Sequence, residues 1–146
     1  MVLIPKSDGG KRPLGIPTVA DRIAQTAATL ILEPLVDVCF DKDSYGYRPN
    51  KSAHQAIDQA RQRYWKYARV IDLDIKEFFD NLGHQLVLKA VEKHTSSRWL
   101  RFYVERWLTA CVQHPDGTLS ERAKRYAAWI ISLVLANLLL HYAFDH

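Results

Sequence analysis

"IDLDIKEFFDNLGH", residues 71–84, decides how the rest of this sequence is read. Val70, Ile71, Leu73 and Ile75 have the apolar, β-branched composition of a buried strand over residues 68–75, yet Asp72, Asp74 and Asp80 lie within and just after the run. A carboxylate among such neighbours is costly unless something offsets its charge. On a strand Asp72 and Asp74 point to the same face. Two like charges that close either hold a cation between them or keep a proton. Asp74 also ends the run, and carboxylates on such a platform suit Mg²⁺, which takes a few protein oxygens together with substrate phosphates. The competing reading is structural, with Asp74 capping a helix that begins at Lys76 and contributing about 1 kcal/mol.

The flanking sequence is organised around helices. Val2 to Pro5 and the residues after "SDGG" form a hairpin with a basic tip. Residues 19–38 follow a helical period with Ile23, Ala27, Leu30, Ile31 and Leu35 on one side, and Pro34 predicts a kink or an early end near Glu33. Ser52 is the N-cap expected for a helix running to about Lys66. Two further helices are expected over residues 78–93 and 97–111, then a hairpin around Pro115-Asp116-Gly117, then a closing helix over 127–146. The expectation is an α+β arrangement in which the strand ending at Asp74 packs under the first and last helices. Leu30, Ile31, Leu35, Ile71, Leu73, Phe78, Leu135 and Leu139 are the expected core.

Composition narrows the function classes only loosely. The 146 residues are 48% hydrophobic and 25% charged with a net charge of +4, as in an ordinary single-domain globular protein with a mild preference for polyanions. Cys39 and Cys111 have no metal-ligand spacing, which suits a reducing cytoplasm and predicts two buried thiols. The amino terminus lacks the apolar stretch of a signal peptide, and "AAWIISLVLANLLL" is too short and too interrupted for a membrane span. Lys6, Lys11 and Arg12 on the first hairpin are either phosphate contacts or a solvated basic turn. Arg48 either meets a nucleic-acid backbone or ties down its own loop. Tyr45 and Tyr47 beside it either stack on bases or pack locally.

Three stretches in fixed order settle the ancestry: "KRPLGIPT" with "DRIAQ", "SYGYRPNKSAHQAI", and "DLDIKEFFDN". Together they resemble the group II intron reverse transcriptases, whose proteins also act as maturases, and the likeness runs from about Leu3 to Asp145. The resemblance implies helix-rich fingers over residues 1–66 and a partial palm over 67–146 that stops before a "YADD"-type hairpin and the thumb. It implies Asp74, helped by Asp72, as the catalytic and metal-binding carboxylate for Mg²⁺. It implies Phe79 as the residue that excludes a nucleotide's 2′-hydroxyl. Arg12, with Lys6 and Lys11, would grip the triphosphate of an incoming deoxynucleotide. The implied partner is template or intron RNA, with Arg48, Tyr45 and Tyr47 as its contacts.

Two departures bear on activity. Where the family carries "GTPQGG", this chain reads "KRYAAW", Lys124 to Trp129, so that Tyr126, Ala127 and Trp129 replace residues bordering the nucleotide pocket. Bulky side chains cannot reproduce the close backbone approach that glycine permits. A correct sequence on either side points to a compensated frameshift. The second departure is the absence of the family's second carboxylate pair from residues 1–146. The resulting expectation is a chain that does not synthesise DNA by itself, and that associates with a second copy through apolar surface near Ile71 to Ile75 and the last helix.

Overall fold

The first long helix begins where Thr18 closes it. The Thr18 hydroxyl donates to the Asp21 carboxylate (2.6 Å) and accepts from the Asp21 N–H (3.1 Å). In the computed structural model, which describes residues 2–5, 9–76, 78, 81–114, 116–120 and 130–145, the order is β1 (Val2–Pro5), β2 (Lys11–Leu14), α1 (Val19–Asp37), α2 (Ala53–Tyr64), α3 (His84–His94), α4 (Arg98–Thr109), β3 (Val112–Gln113), β4 (Leu119–Ser120) and α5 (Ser132–Phe144). The chain is helix-rich, as expected. Its strands form two separate antiparallel pairs, with Ile4 opposite Arg12 in the first and Gln113 opposite Leu119 in the second. Gly9 and Gly117 take positive φ values of 80° and 85°, which their turns require.

The core lies between α1, α3, α4 and α5. Leu32 and Val36 of α1, Val87 and Val91 of α3, Leu100 and Val104 of α4, and Leu135 and Leu138 of α5 form one buried cluster. The α5 helix is apolar nearly all round, and α1 and α3 both pack on it. Gln25, the one fully buried polar residue of α1, is satisfied because its Oε1 accepts from the Ile130 N–H at 3.0 Å. Beside the core, His94 links α3 to α5: its Nε2 lies 2.7 Å from the Tyr142 hydroxyl, and its Nδ1 lies 3.8 Å from the Cys39 sulfur.

Several expectations are corrected. Residues 68–75 form no strand: they are irregular and exposed, with Ile71 82% and Leu73 71% accessible. Among the described residues no neighbouring strand takes up their backbone N–H and C=O groups, and an unpaired strand leaves those groups to water. Leu30, Ile31 and Leu35 also lie on the solvent side, whereas Leu135 is buried and Leu139 packs partly on the core. Helix α1 carries two apolar stripes, and the core takes Ala28, Leu32 and Val36. Pro34 does not end the helix, because its missing N–H would have faced the exposed Leu30 turn, where water can satisfy the freed carbonyl. The third helix starts at His84 and not at Phe78, with Gly83 as its N-cap. Both cysteines are exposed. The last helix has most of its apolar surface buried, whereas apolar side chains stay open at Val70 to Ile75, as expected, and also on the outer side of α1.

Replacing Leu32 by Ala should destabilise the protein by about 2–5 kcal/mol, as for a fully buried leucine. Leu30→Ala should stay within about 0.5 kcal/mol. Urea unfolding of the two variants side by side reads this directly, and equal losses would place the core on the wrong stripe. Acid should also weaken the fold through His94, whose pKa is held below its usual value by burial, then by the neighbouring His141 and Lys93. The folded state binds fewer protons there than the unfolded state, so this contribution is complete above the ordinary histidine pKa of about 6.5 and declines as pH falls through it toward the lower folded value. A His94→Gln variant should show a shallower loss of urea midpoint between neutral and acid pH than the parent.

Candidate nucleic-acid interface

The loop between α1 and α2 is built around Arg48. Its Nε donates to Asp37 Oδ1 at 2.6 Å, one terminal nitrogen donates to the Asp41 and Ser44 carbonyls at 2.6 and 3.1 Å, and the other donates to the Asp37 carbonyl at 3.0 Å. The guanidinium also lies over the Phe40 ring, 5.2 Å from its centroid. With its side chain only 8% exposed, Arg48 takes the structural side of its two readings. It closes the loop onto the carboxyl end of α1, where a cation is also favoured by the helix dipole. The α5 helix holds the same loop: Asn137 Nδ2 donates to the Gly46 carbonyl at 2.6 Å, and Asp145 accepts from the Asp41 N–H at 3.3 Å and pairs with His141 at 2.8 Å.

The loop presents aromatic and basic side chains outward. Tyr45 is half-buried, with the Lys51 ammonium 4.7 Å from its ring centroid. Tyr47 is exposed and takes a positive φ of 51°. Ser52 then starts α2 with a capping box: its hydroxyl accepts from the Gln55 N–H at 3.3 Å, and the Gln55 side chain accepts from the Ser52 N–H at 2.8 Å. Helix α2 buries none of its residues. An ion pair between Arg63 and Asp43 holds it to the loop, and that hydrogen bond raises the already high Arg63 pKa.

The other expected site residues are not brought together. The backbone of Lys11 and Arg12 lies in β2, opposite Pro5 and Ile4. Lys6, Phe79 and the "KRYAAW" stretch, with Tyr126, Ala127 and Trp129, lie outside the described residues. Asp72 and Asp74 are both exposed on the irregular segment. No group of three or more His, Cys, Asp or Glu among the described residues is arranged to hold a metal ion. Two exposed carboxylates offer at most a couple of the roughly six oxygens that Mg²⁺ takes. By themselves the described residues therefore do not fit a resident Mg²⁺. The motif reading passed over "RQRYWKYAR", residues 61–69, although four Lys/Arg and three aromatics in nine residues are a nucleic-acid signal.

Comparison with known families decides the ancestry. The family model for reverse transcriptase (RNA-dependent DNA polymerase) matches residues 4–145. The chain belongs to the reverse transcriptase family. It is 36% identical over 96% of its length to protein YkfC of Escherichia coli, of which it covers 38%. It is 30% identical over 97% of its length to the group II intron-encoded protein LtrA of Lactococcus lactis, covering 24% of that protein. A putative COX1/OXI3 intron 1 protein of Saccharomyces cerevisiae is 32% identical over 81% of the chain, which covers 14% of it. These relatives put the chain with the group II intron-encoded reverse transcriptases and maturases, of which it spans well under half the length. No helix among the described residues is long and apolar enough to cross a membrane.

Arg48→Ala should cost on the order of 3 kcal/mol, because it leaves Asp37 and three loop carbonyls without their shared donor. Arg48→Lys should recover little, since an ammonium cannot reproduce the guanidinium's planar fork. Thermal melting of the two variants checks this, and a fully stable Lys variant would show that charge alone holds the loop.

Proposed function

We propose that this chain is an RNA-contacting part of a group II intron reverse transcriptase and that the isolated chain does not extend a primer. In this reading residues 1–66 correspond to the fingers and 67–146 to the start of the palm. Intron or template RNA is the partner, with Lys6, Lys11 and Arg12 meeting its phosphates and Tyr45 and Tyr47 its bases. Nucleotide addition in the intact enzyme needs Mg²⁺ between carboxylates and triphosphate. The observation that carries the proposal is the contrast between two neighbouring regions: the loop that carries Tyr45 and Tyr47 is locked by Arg48, whereas Asp72 and Asp74 lie on an exposed, unpaired segment.

Polyanion binding by such a surface depends on salt. With three or four phosphates neutralised on a single strand, log K should fall against log salt with a slope of about −2 to −3. The purified chain should show this slope by fluorescence anisotropy with an RNA oligomer. It should incorporate no nucleotide on an RNA template, beside an Asp74→Ala control. Incorporation by the parent that the control abolishes would overturn the non-catalytic part of the reading, and absence of RNA binding would overturn the rest.

A second reading, self-association, is favoured by the outer stripe of α1, where Val19, Ile23 and Leu30 are all exposed along one side. A second copy would cover this stripe in a symmetric pair. Sedimentation should show a concentration-dependent dimer that Ile23→Lys and Leu30→Lys together reduce to monomer.

A further inference from the structure

The two cysteines of this protein are both exposed, but their surroundings differ. Cys39 follows the carboxyl end of α1, and its sulfur lies 3.8 Å from Nδ1 of His94, the last residue of α3. At the other ring nitrogen, Nε2 of His94 lies 2.7 Å from the Tyr142 hydroxyl of α5. Thiol, imidazole and phenol come from three separate parts of the chain and meet through the two nitrogens of one ring. When Nε2 carries the ring proton and donates it to the Tyr142 oxygen, the lone pair of Nδ1 is left facing the thiol. Cys111, just after α4, makes no hydrogen bond to a histidine among the described residues.

We propose that Cys39 is a site of mixed-disulfide formation with small disulfides, with His94 as the proton acceptor for its thiol and Tyr142 as the residue that positions the ring. A nucleophile beside a base that a third group orients is the arrangement that activates a thiol. The Cys39 sulfur passes its proton to His94 Nδ1 and attacks one sulfur of the incoming disulfide. A new S–S bond forms as the old one breaks, and the departing thiolate leaves with the proton that His94 held. One thiol and one disulfide become another thiol and another disulfide, so the step needs no further oxidant. Around the ring stand Lys93 of α3, whose ammonium lies 4.5 Å from the Tyr142 ring centroid, and His141 of α5, itself paired with Asp145. At the end of α1, Asp37 is taken by Arg48. Burial holds the His94 pKa below its usual value, as do His141 and Lys93, so the ring is uncharged near neutral pH and able to take a proton. Cys39 is two residues from Asp37, the anchor of Arg48, which puts the modification at the root of the loop between α1 and α2.

The probe is hydroxyethyl disulfide, which is small and uncharged, and mass spectrometry of the two cysteine peptides reads both rates in the same chain. An unassisted thiol is only about 3% ionised at about pH 7, so Cys39 in the parent should react about tenfold faster than Cys111 there. In His94→Asn the amide oxygen can still accept a hydrogen bond but takes no proton, and the ratio of rates should fall to about one. Tyr142→Phe keeps the ring and loses the hydroxyl, and should lower the ratio about threefold. At about pH 10 both thiols ionise without help, so the parent's ratio should also close to about one. A ratio that persists at that pH would show that access alone separates the two thiols, and would overturn the proposal. So would equal rates in the parent near neutral pH, or a His94→Asn chain that keeps the parent's ratio. A Tyr142→Phe chain with an unchanged ratio would overturn the positioning role of Tyr142. The comparison across pH uses the parent alone, so it decides the matter even where a substitution disturbs folding.

Discussion

Arg48 is the side chain on which the loop between α1 and α2 depends. Its guanidinium joins the last turn of α1 to the loop that follows, and the same loop is held from the other side by Asn137 and Asp145 at the end of the chain. An arginine can do this because five N–H groups in one plane serve several acceptors at once. Burial makes the arrangement strict, since any acceptor left without its donor would lose its water partners as well. The positions of α2 and its aromatic face follow from the loop, because α2 buries nothing of its own in the core.

Periodicity and capping chemistry made much of the local structure legible. Ser52 with Gln55, Gly117 in its turn, and the basic hairpin around Gly9 are short-range features, and each carries its own chemical reason. What sequence could not choose was the side of α1 that meets the core. Ile23, Ala27, Leu30, Ile31 and Leu35 make as good an apolar side as Ala28, Leu32 and Val36, and the partner helix α5 breaks the tie. Gln25 made the choice harder, because a glutamine reads as solvent-facing, yet it is buried on the core side with its Oε1 accepting from the Ile130 N–H.

The strand read into residues 68–75 had a different origin. Val70, Ile71, Leu73 and Ile75 have strand-like composition, but a strand is a property of at least two chain segments. Among the described residues only two short hairpins pair. The carboxylates at 72 and 74 therefore meet water here. The family likeness, by contrast, was readable from motif order alone, because "SYGYRP" and "DIKEFFDN" are too specific to recur by accident at that separation.

The hydrogen bonds that tie α5 and its flanking residues to α1 and its following loop join residues distant in sequence. Gln25 meets Ile130 across 105 residues, Asp41 meets Asp145 across 104, and Gly46 meets Asn137 across 91. During synthesis, α1 therefore leaves the ribosome with both apolar stripes uncovered and waits until α5 has been made before that helix can close over one of them. At a usual elongation rate of about 5–20 residues per second, that interval lasts on the order of 5–20 seconds. Over that interval the helix keeps apolar surface exposed, the kind of surface that makes incompletely folded chains prone to aggregation.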